Sequence, residues 1–230
     1  MSKLRKLDEK LWVLDAPFTA PGGLALGGRA TIIALSGGGV AAINPVALDA
    51  AAKAELEALG SVRVILAPNA MHHLHLEAWR FAFPNAKTFV SPLLAAKKPG
   101  LHRDGLLGEE PQALYRDDLR QLLVGGMPKL CEYVFYHPVS RTLVQTDSAF
   151  HIRKPANTLT KIVMRLNGGY GRYGPTNLFR FLVKDKKALA ASLRKMGEWS
   201  FERIIVAHGD VVEHGGKDAF RRAYERYLRA

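Results

Sequence analysis

A chain of 230 residues, 48% of them hydrophobic and 23% charged, is long enough for one domain with a substantial core and is ordinary in composition. No apolar run approaches the ~20 residues that a membrane-spanning helix needs, and one cysteine, Cys131, excludes an intramolecular disulfide framework and cysteine-based zinc fingers. The net charge is +12, and from Arg153 to Lys195 eleven Lys/Arg stand against one acid, Asp185, a balance that attracts anionic small molecules, nucleic acid or acidic lipid head groups.

The basic residues from Met1 to Lys10 lead into no apolar stretch of signal-peptide type, so the expected location is the cytoplasm. Leu11–Leu14 is a short apolar run closed by Pro17 and Pro21-Gly22-Gly23. Ala30–Leu35 is β-branched and apolar, Gly37-Gly38-Gly39 turns the chain, and Val40–Ile43 returns at hairpin distance before Asn44-Pro45. Leu48–Leu59 is alanine-rich with helical spacing, and Gly60 stands where a helix-ending glycine belongs. Val62–Leu66 is a buried-type strand, and a helix is expected from near His72 to Pro84. Thr88–Val90 reads as a brief strand, Leu93–Lys98 as a short helix and Leu101–Arg116 as a long surface loop.

Alternation resumes over Asp118–Val124, Glu132–Tyr136 and Thr142–Thr146, the last two forming a hairpin across Pro138-Val139-Ser140-Arg141. His137, at that turn, is expected to be exposed. Helices follow at about 157–166, 177–197 and 217–229, with one strand, Arg203–Ala207, among them. Trp79, Trp199 and Phe181 fall at helical spacings and are expected in the core, and 168–174 reads as a glycine-rich flexible loop. Two blocks of strands, each followed by helices, predict paired sheets covered by helices on both outer faces. No internal repeat or low-complexity tract divides the chain, so residues 1–230 are read as a single domain.

Three landmarks carry chemistry. Val64-Ile65-Leu66-Ala67-Pro68-Asn69-Ala70-Met71-His72-His73 is a strand running into a pair of histidines. The hairpin ends in Gln145-Thr146-Asp147-Ser148, and the last strand ends in Ala207-His208-Gly209-Asp210. In this order and context they resemble the metallo-β-lactamase superfamily, with its HxHxDH helix start, its hairpin aspartate that can bridge two metals and its final Gly-His-Gly. The resemblance spans about Leu11 to Val212 and implies a four-layer αββα metallo-β-lactamase-like sandwich of the α/β class. Asn44 stands where the family usually has a supporting aspartate.

The departures from the family pattern are as informative. Pro68 and Ala70 replace the first two histidines, Pro128 replaces the one before the hairpin, His72 replaces the aspartate and His73 matches the last histidine. A shifted register, with His73-Leu74-His75-Leu76-Glu77 as a worn HxHxD, needs an extra loop after Leu66. The first register implies a depleted site with His72, His73, Asp147 and His208 as ligands to at most one divalent ion (Zn, Fe or Mn), or to none. The reaction implied is hydrolysis of an acyl or phosphoryl substrate of the anionic small-molecule class, with Asp210 or His75 moving protons and Arg172, Tyr170 and Tyr173 of the glycine-rich loop lining a substrate cleft.

Each group also has a purely structural reading. His72-His73 can cap a helix, Asp147 can cap the backbone after its strand, and His208-Gly209-Asp210 can be a packed turn. A metal-free descendant of the fold that binds an anionic partner, nucleic acid or an acidic surface, is therefore the alternative function; no nucleic-acid-binding motif accompanies the charge.

Overall fold

The period-two alternation of the apolar strands sorts their side chains onto the two faces of one sheet. A computed structural model describes residues 2–229 and shows how. The first half of the chain contributes β1 (Lys3–Asp8), β2 (Leu11–Ala16), a small hairpin of β3 (Thr19–Ala20) and β4 (Leu24–Ala25), then β5 (Gly28–Ala34), β6 (Val40–Ile43), α1 (Ala50–Leu59), β7 (Val62–Ala67), α2 (Leu76–Ala82), β8 (Lys87–Val90), α3 (Pro92–Lys97) and β9 (Gly105–Leu106). Seven of these strands form a sheet in the order β1-β2-β5-β6-β7-β8-β9. On β6, Val40 and Ala42 face α1, α2 and α3 while Ala41 and Ile43 face the other way; on β7, Ile65 and Ala67 alternate likewise with Val64 and Leu66.

The second half supplies β10 (Arg120–Leu123), β11 (Tyr133–His137), β12 (Thr142–Val144), α4 (Thr158–Leu166), α5 (Asn177–Leu182), α6 (Lys186–Glu198), β13 (Arg203–Ile205) and α7 (Gly216–Leu228). Its four-stranded sheet has the order β10-β11-β12-β13. Phe135, Val144 and Ile205 of this sheet pack against Ile33, Ile43 and Leu66 of the first, and its outer face, with Val134, Leu143 and Ile204, packs on α5, α6 and α7. The result is helix, sheet, sheet, helix: four layers around two sheets stacked face to face. Among the described residues no helix is long and apolar enough to cross a membrane.

One property of this topology places the site. β6 and β7 are parallel, with Ile43 opposite Leu66, and β12 and β13 are parallel, with Val144 opposite Ile205. The carboxyl ends of each pair therefore open side by side, the edge at which α/β sheets present ligand-binding loops.

The structure departs from the sequence expectations at several places. The helix expected from His72 starts only at Leu76, because Met71–His75 turns first. The helix expected over 177–197 is two, α5 and α6. The break is held where the Lys184 and Asp185 amides donate to the Gly126 carbonyl at 2.8 and 3.3 Å, and Asp185 then caps α6 through the Ala188 amide. His137 is fully buried rather than exposed, with Nδ1 2.7 Å from the Ser140 hydroxyl. Trp79 is in the core as expected, but Phe181 is 74% exposed, since α5 turns its other face, with Phe179, inward. β1 and the β3–β4 hairpin, too short or too polar to stand out in sequence, complete the first sheet's edge and one flank of the site.

Candidate metal centre

Four strand ends and two asparagine amides build the site. At the end of β6, Asn44 takes up left-handed backbone (φ 63°), a conformation asparagine tolerates better than most side chains. Its side-chain amide donates to the Arg29 carbonyl at 2.8 Å, which turns Oδ1 towards His72 Nδ1 at 2.5 Å. Beyond β7, the fully buried Asn69 accepts from the Met71 and His72 amides at 2.8 and 3.1 Å, an Asx-type turn that swings the chain round and aims His72 inward. The same side chain donates to Asp147 Oδ2 and Thr146 Oγ1, both at 2.9 Å. One amide thus shapes the loop carrying His72 and holds the carboxylate opposite it.

Asp147 is held from beneath by Glu132. The amides of Thr146, Asp147 and Ser148 donate to its two oxygens at 2.8–2.9 Å, and the Ser148 hydroxyl donates at 2.6 Å. Burial, then the charge of Asp147, push the Glu132 acid up, and these donors pull against them. His208 follows β13, stacked between Phe18 and Phe150 at centroid distances of 5.8 and 5.2 Å, with Nδ1 2.6 Å from the Gly27 carbonyl. Gly209 has φ 99°, and a side chain there would run into the His151 carbonyl, so glycine is required for this turn. Arg29 fastens the turn by donating to the Gly209 carbonyl at 2.6 Å and pairing with Asp15 at 2.6 Å.

His72 Nε2 lies 2.9 Å from Asp147 Oδ2 and His208 Nε2 3.6 Å from Oδ1; the ligating atoms of the three residues lie within 4.8 Å of one another. A carbonyl oxygen only accepts, so Nδ1 of His208 carries its hydrogen; Asn44, whose amino group is committed to Arg29, fixes the same tautomer in His72. Two Nε2 lone pairs and a carboxylate therefore converge with no donor between them unless a cation is supplied. A divalent ion fits that donor set, with outer hydrogen bonds of the kind that orient metal-binding imidazoles. A proton is the other cation that fits. Burial pulls the His72 imidazolium down, but the Asp147 charge, its hydrogen bond and the Glu132 charge outweigh this and raise it. Burial likewise disfavours the Asp147 carboxylate, yet the neighbouring His72 and His208 hold its acid far below the ordinary range.

Asp147, His72 and His208 close one end of a cavity of about 450 Å³. His75 also lines it, and burial lowers that imidazole, which keeps it neutral at pH 7. The other residues expected at the site are elsewhere. His73 is not brought to Asp147: consecutive side chains on this turn diverge, and His73 faces Lys97 and Lys98 across a separate shallow pocket. Burial, then the Lys98 charge, lower it. Asp210 pairs with Arg153 at 3.2 Å and is not among the lining residues. Nor do Arg172, Tyr170 and Tyr173 line the cavity. Arg172 donates to the Gly168 carbonyl at 2.8 Å, Arg165 lies 4.9 Å over the Tyr170 ring, and Tyr173 is buried in the second core with its hydroxyl bonded to Gln145. None of the eleven cations from Arg153 to Lys195 lines the cavity; Lys129 does.

Asn69, Glu132, Arg29, Phe18 and Phe150 were not singled out from sequence. Pro68-Asn69 is a turn signal that marks the first, and Glu132, a lone acid opening the apolar run Tyr133–Tyr136, was a visible anomaly.

Solved structures resemble this arrangement over nearly its whole length. A metallo-β-lactamase from Pontibacter korlensis is 13% identical, with 100% of both chains covered and a TM-score of 0.68. The chain has the metallo-β-lactamase fold. One from Erythrobacter litoralis is 14% identical over 100% of this chain and 97% of the other, with a TM-score of 0.70. The metallo-β-lactamase FIM-1 from Pseudomonas aeruginosa, in its mono-zinc form, is 13% identical over 99% and 93%, with a TM-score of 0.64. No family model and no curated protein matches the sequence. Within this fold, His72, Asp147 and His208 form a candidate divalent-metal site at the carboxyl ends of β7, β12 and β13.

Proposed function

We propose that the chain is a metal-dependent hydrolase holding a single divalent ion at His72, Asp147 and His208. The observation that carries this reading is the convergence of two tautomer-locked Nε2 atoms on a buried carboxylate at the end of a cavity. Support comes also from a fold shared with a metallo-β-lactamase seen in a mono-zinc form. Three protein ligands of imidazole and carboxylate type would hold Zn, Fe or Mn. An ion there supplies a Lewis acid and lowers the pKa of water towards about 7.

The protein's own groups do the rest. Asn44 and the Gly27 carbonyl keep both imidazoles in the ligating tautomer. Glu132, through the Asp147 amide, and Asn69 fix Asp147 in place, and the neighbouring His72 and His208 keep it ionised. The proton transfer is assigned to His75, which lines the cavity and whose imidazole burial lowers, rather than to Asp210, which pairs with Arg153 away from the lining. Hydrolysis adds the oxygen of water to an acyl or phosphoryl centre and a proton to the departing group. Lys129 receives negative charge on the substrate.

The test is metal content of protein purified without chelator, by elemental mass spectrometry. Wild type and His73→Ala should both hold about one equivalent, and His208→Ala should hold almost none. Protein that takes up no Zn, Fe or Mn after reconstitution favours the second reading, a metal-free binding module in which a protonated His72 closes on Asp147. The raised His72 imidazolium is the observation behind that alternative.

A further inference from the structure

The cavity and the chemistry at its end differ in kind. Away from His72, His75, Asp147 and His208, its walls come from the β3–β4 hairpin (Ala20, Leu24), from α4 (Val163, Met164) and from α5 (Phe179, Leu182). Among the described residues the only Lys or Arg on the lining is Lys129. Asn167, also on the lining, already spends its side-chain oxygen on the Leu178 amide. A small polar substrate would leave these walls facing water. An apolar chain would cover them and leave the polar end for its head group.

The entrance repeats the pattern. Met71, Leu74 and Leu178 line the cavity and are nonetheless 62, 70 and 59% exposed. On α4, Leu159, Ile162 and Leu166 are exposed at i, i+3 and i+7, a single stripe, and on α5 Phe181 stands one turn from Leu178. Exposed apolar side chains grouped on two adjoining elements mark a contact surface rather than scatter. Between Asp147 and Asp185 the sequence has seven Lys/Arg and no acid, so an anionic amphiphile is drawn by charge of the opposite sign on this segment.

We infer that the ligand of this cavity is a fatty acyl compound: a long unbranched apolar chain lies along the α4, α5 and β3–β4 walls, and its carbonyl end reaches His72, Asp147 and His208. Binding of the chain stands on the cavity alone; that the acyl group is then hydrolysed rests on the reading proposed above.

The experiment is calorimetric titration of chelator-treated full-length protein with saturated fatty acids of 8 to 14 carbons and the matching primary alcohols, each below its aggregation limit. Affinity should rise about fourfold per methylene (about 0.8 kcal/mol) in both series until the cavity is full. Leu178→Asn, at the exposed rim where folding is not at stake, and Val163→Asn, on the wall, should each weaken dodecanoate about tenfold, and His208→Ala should leave the chain-length slope intact. Affinity that does not change with chain length, or that is unchanged in both asparagine variants, overturns the inference. Chain binding in a protein that takes up no metal keeps the inference and removes the hydrolase; metal uptake with no chain-length dependence does the reverse.

Discussion

The two ends of the cavity are built to opposite rules. At the polar end each functional atom is over-determined: Glu132 accepts four hydrogen bonds, Asn69 makes four, and both histidines are pinned through Nδ1. These groups sit on the ends of buried strands, where the sheets hold the backbone. At the α4–α5 end the walls offer shape and almost no hydrogen bonding, on short helices with several apolar side chains in solvent. Fixed distances come from the ends of buried strands, and an ion or a reacting group needs them; an apolar chain would need only dry area, which the short helices offer.

Breaking the polar end should cost most. Glu132→Gln keeps the shape but sets an amino group against backbone amides that point at it, so the stability measured by urea unfolding should fall by about 3 kcal/mol or more. Asp147→Asn comes next: metal affinity should drop at least about a hundredfold by competition with a chromogenic chelator, and Asn44→Ala, which frees the His72 tautomer, by about 10- to 100-fold.

The pH dependence sharpens the same contrast. In metal-free protein the raised His72 contributes stability that is fully present below its ordinary value of 6.5 and is lost as pH rises through the folded value. The lowered Asp147 contributes stability present above its ordinary value of 3.8 and lost as pH falls through the folded one. Thermal melts of the metal-free protein should therefore show the pair's contribution greatest between those two values and declining on either side. The decline above 6.5 should vanish in Asp147→Asn. At the other extreme, Phe181→Ser should change stability by no more than about 0.5 kcal/mol, as expected for a side chain this exposed. His73→Ala should leave metal content unchanged.

Much of the fold could be read from the sequence, because alternation along Ala30–Leu35, Val40–Ile43 and Val62–Leu66 has one physical meaning, a strand with two unlike faces. The grouping of His72, Asp147 and His208 was legible through the resemblance of their order and strand-end context to the metallo-β-lactamase pattern. His73 was not separable from His72, since adjacency in sequence says nothing of which side chain the Asn69 turn aims inward. Glu132 accepts from amides 14 or more residues away, and Asn69 donates to the Thr146 and Asp147 side chains 77 and 78 residues away, relations that no local pattern encodes. Phe181 reads as core for the same reason that the cavity is invisible: an apolar residue at helical spacing looks alike whether it meets protein, ligand or solvent.

Gly27 gives its carbonyl to His208 and stands between the β3–β4 hairpin and β5; its own amide is tied to the Phe18 carbonyl at 3.1 Å. The hairpin that walls the cavity and the atom that sets the His208 tautomer are thus one piece of chain. A ligand that orders this hairpin changes the free energy of presenting Nε2, and an ion on Nε2 changes the cost of ordering the hairpin by the same amount. Were both proposed occupants to bind, any such coupling would be reciprocal, and each would be measured as a heterotropic effector of the other.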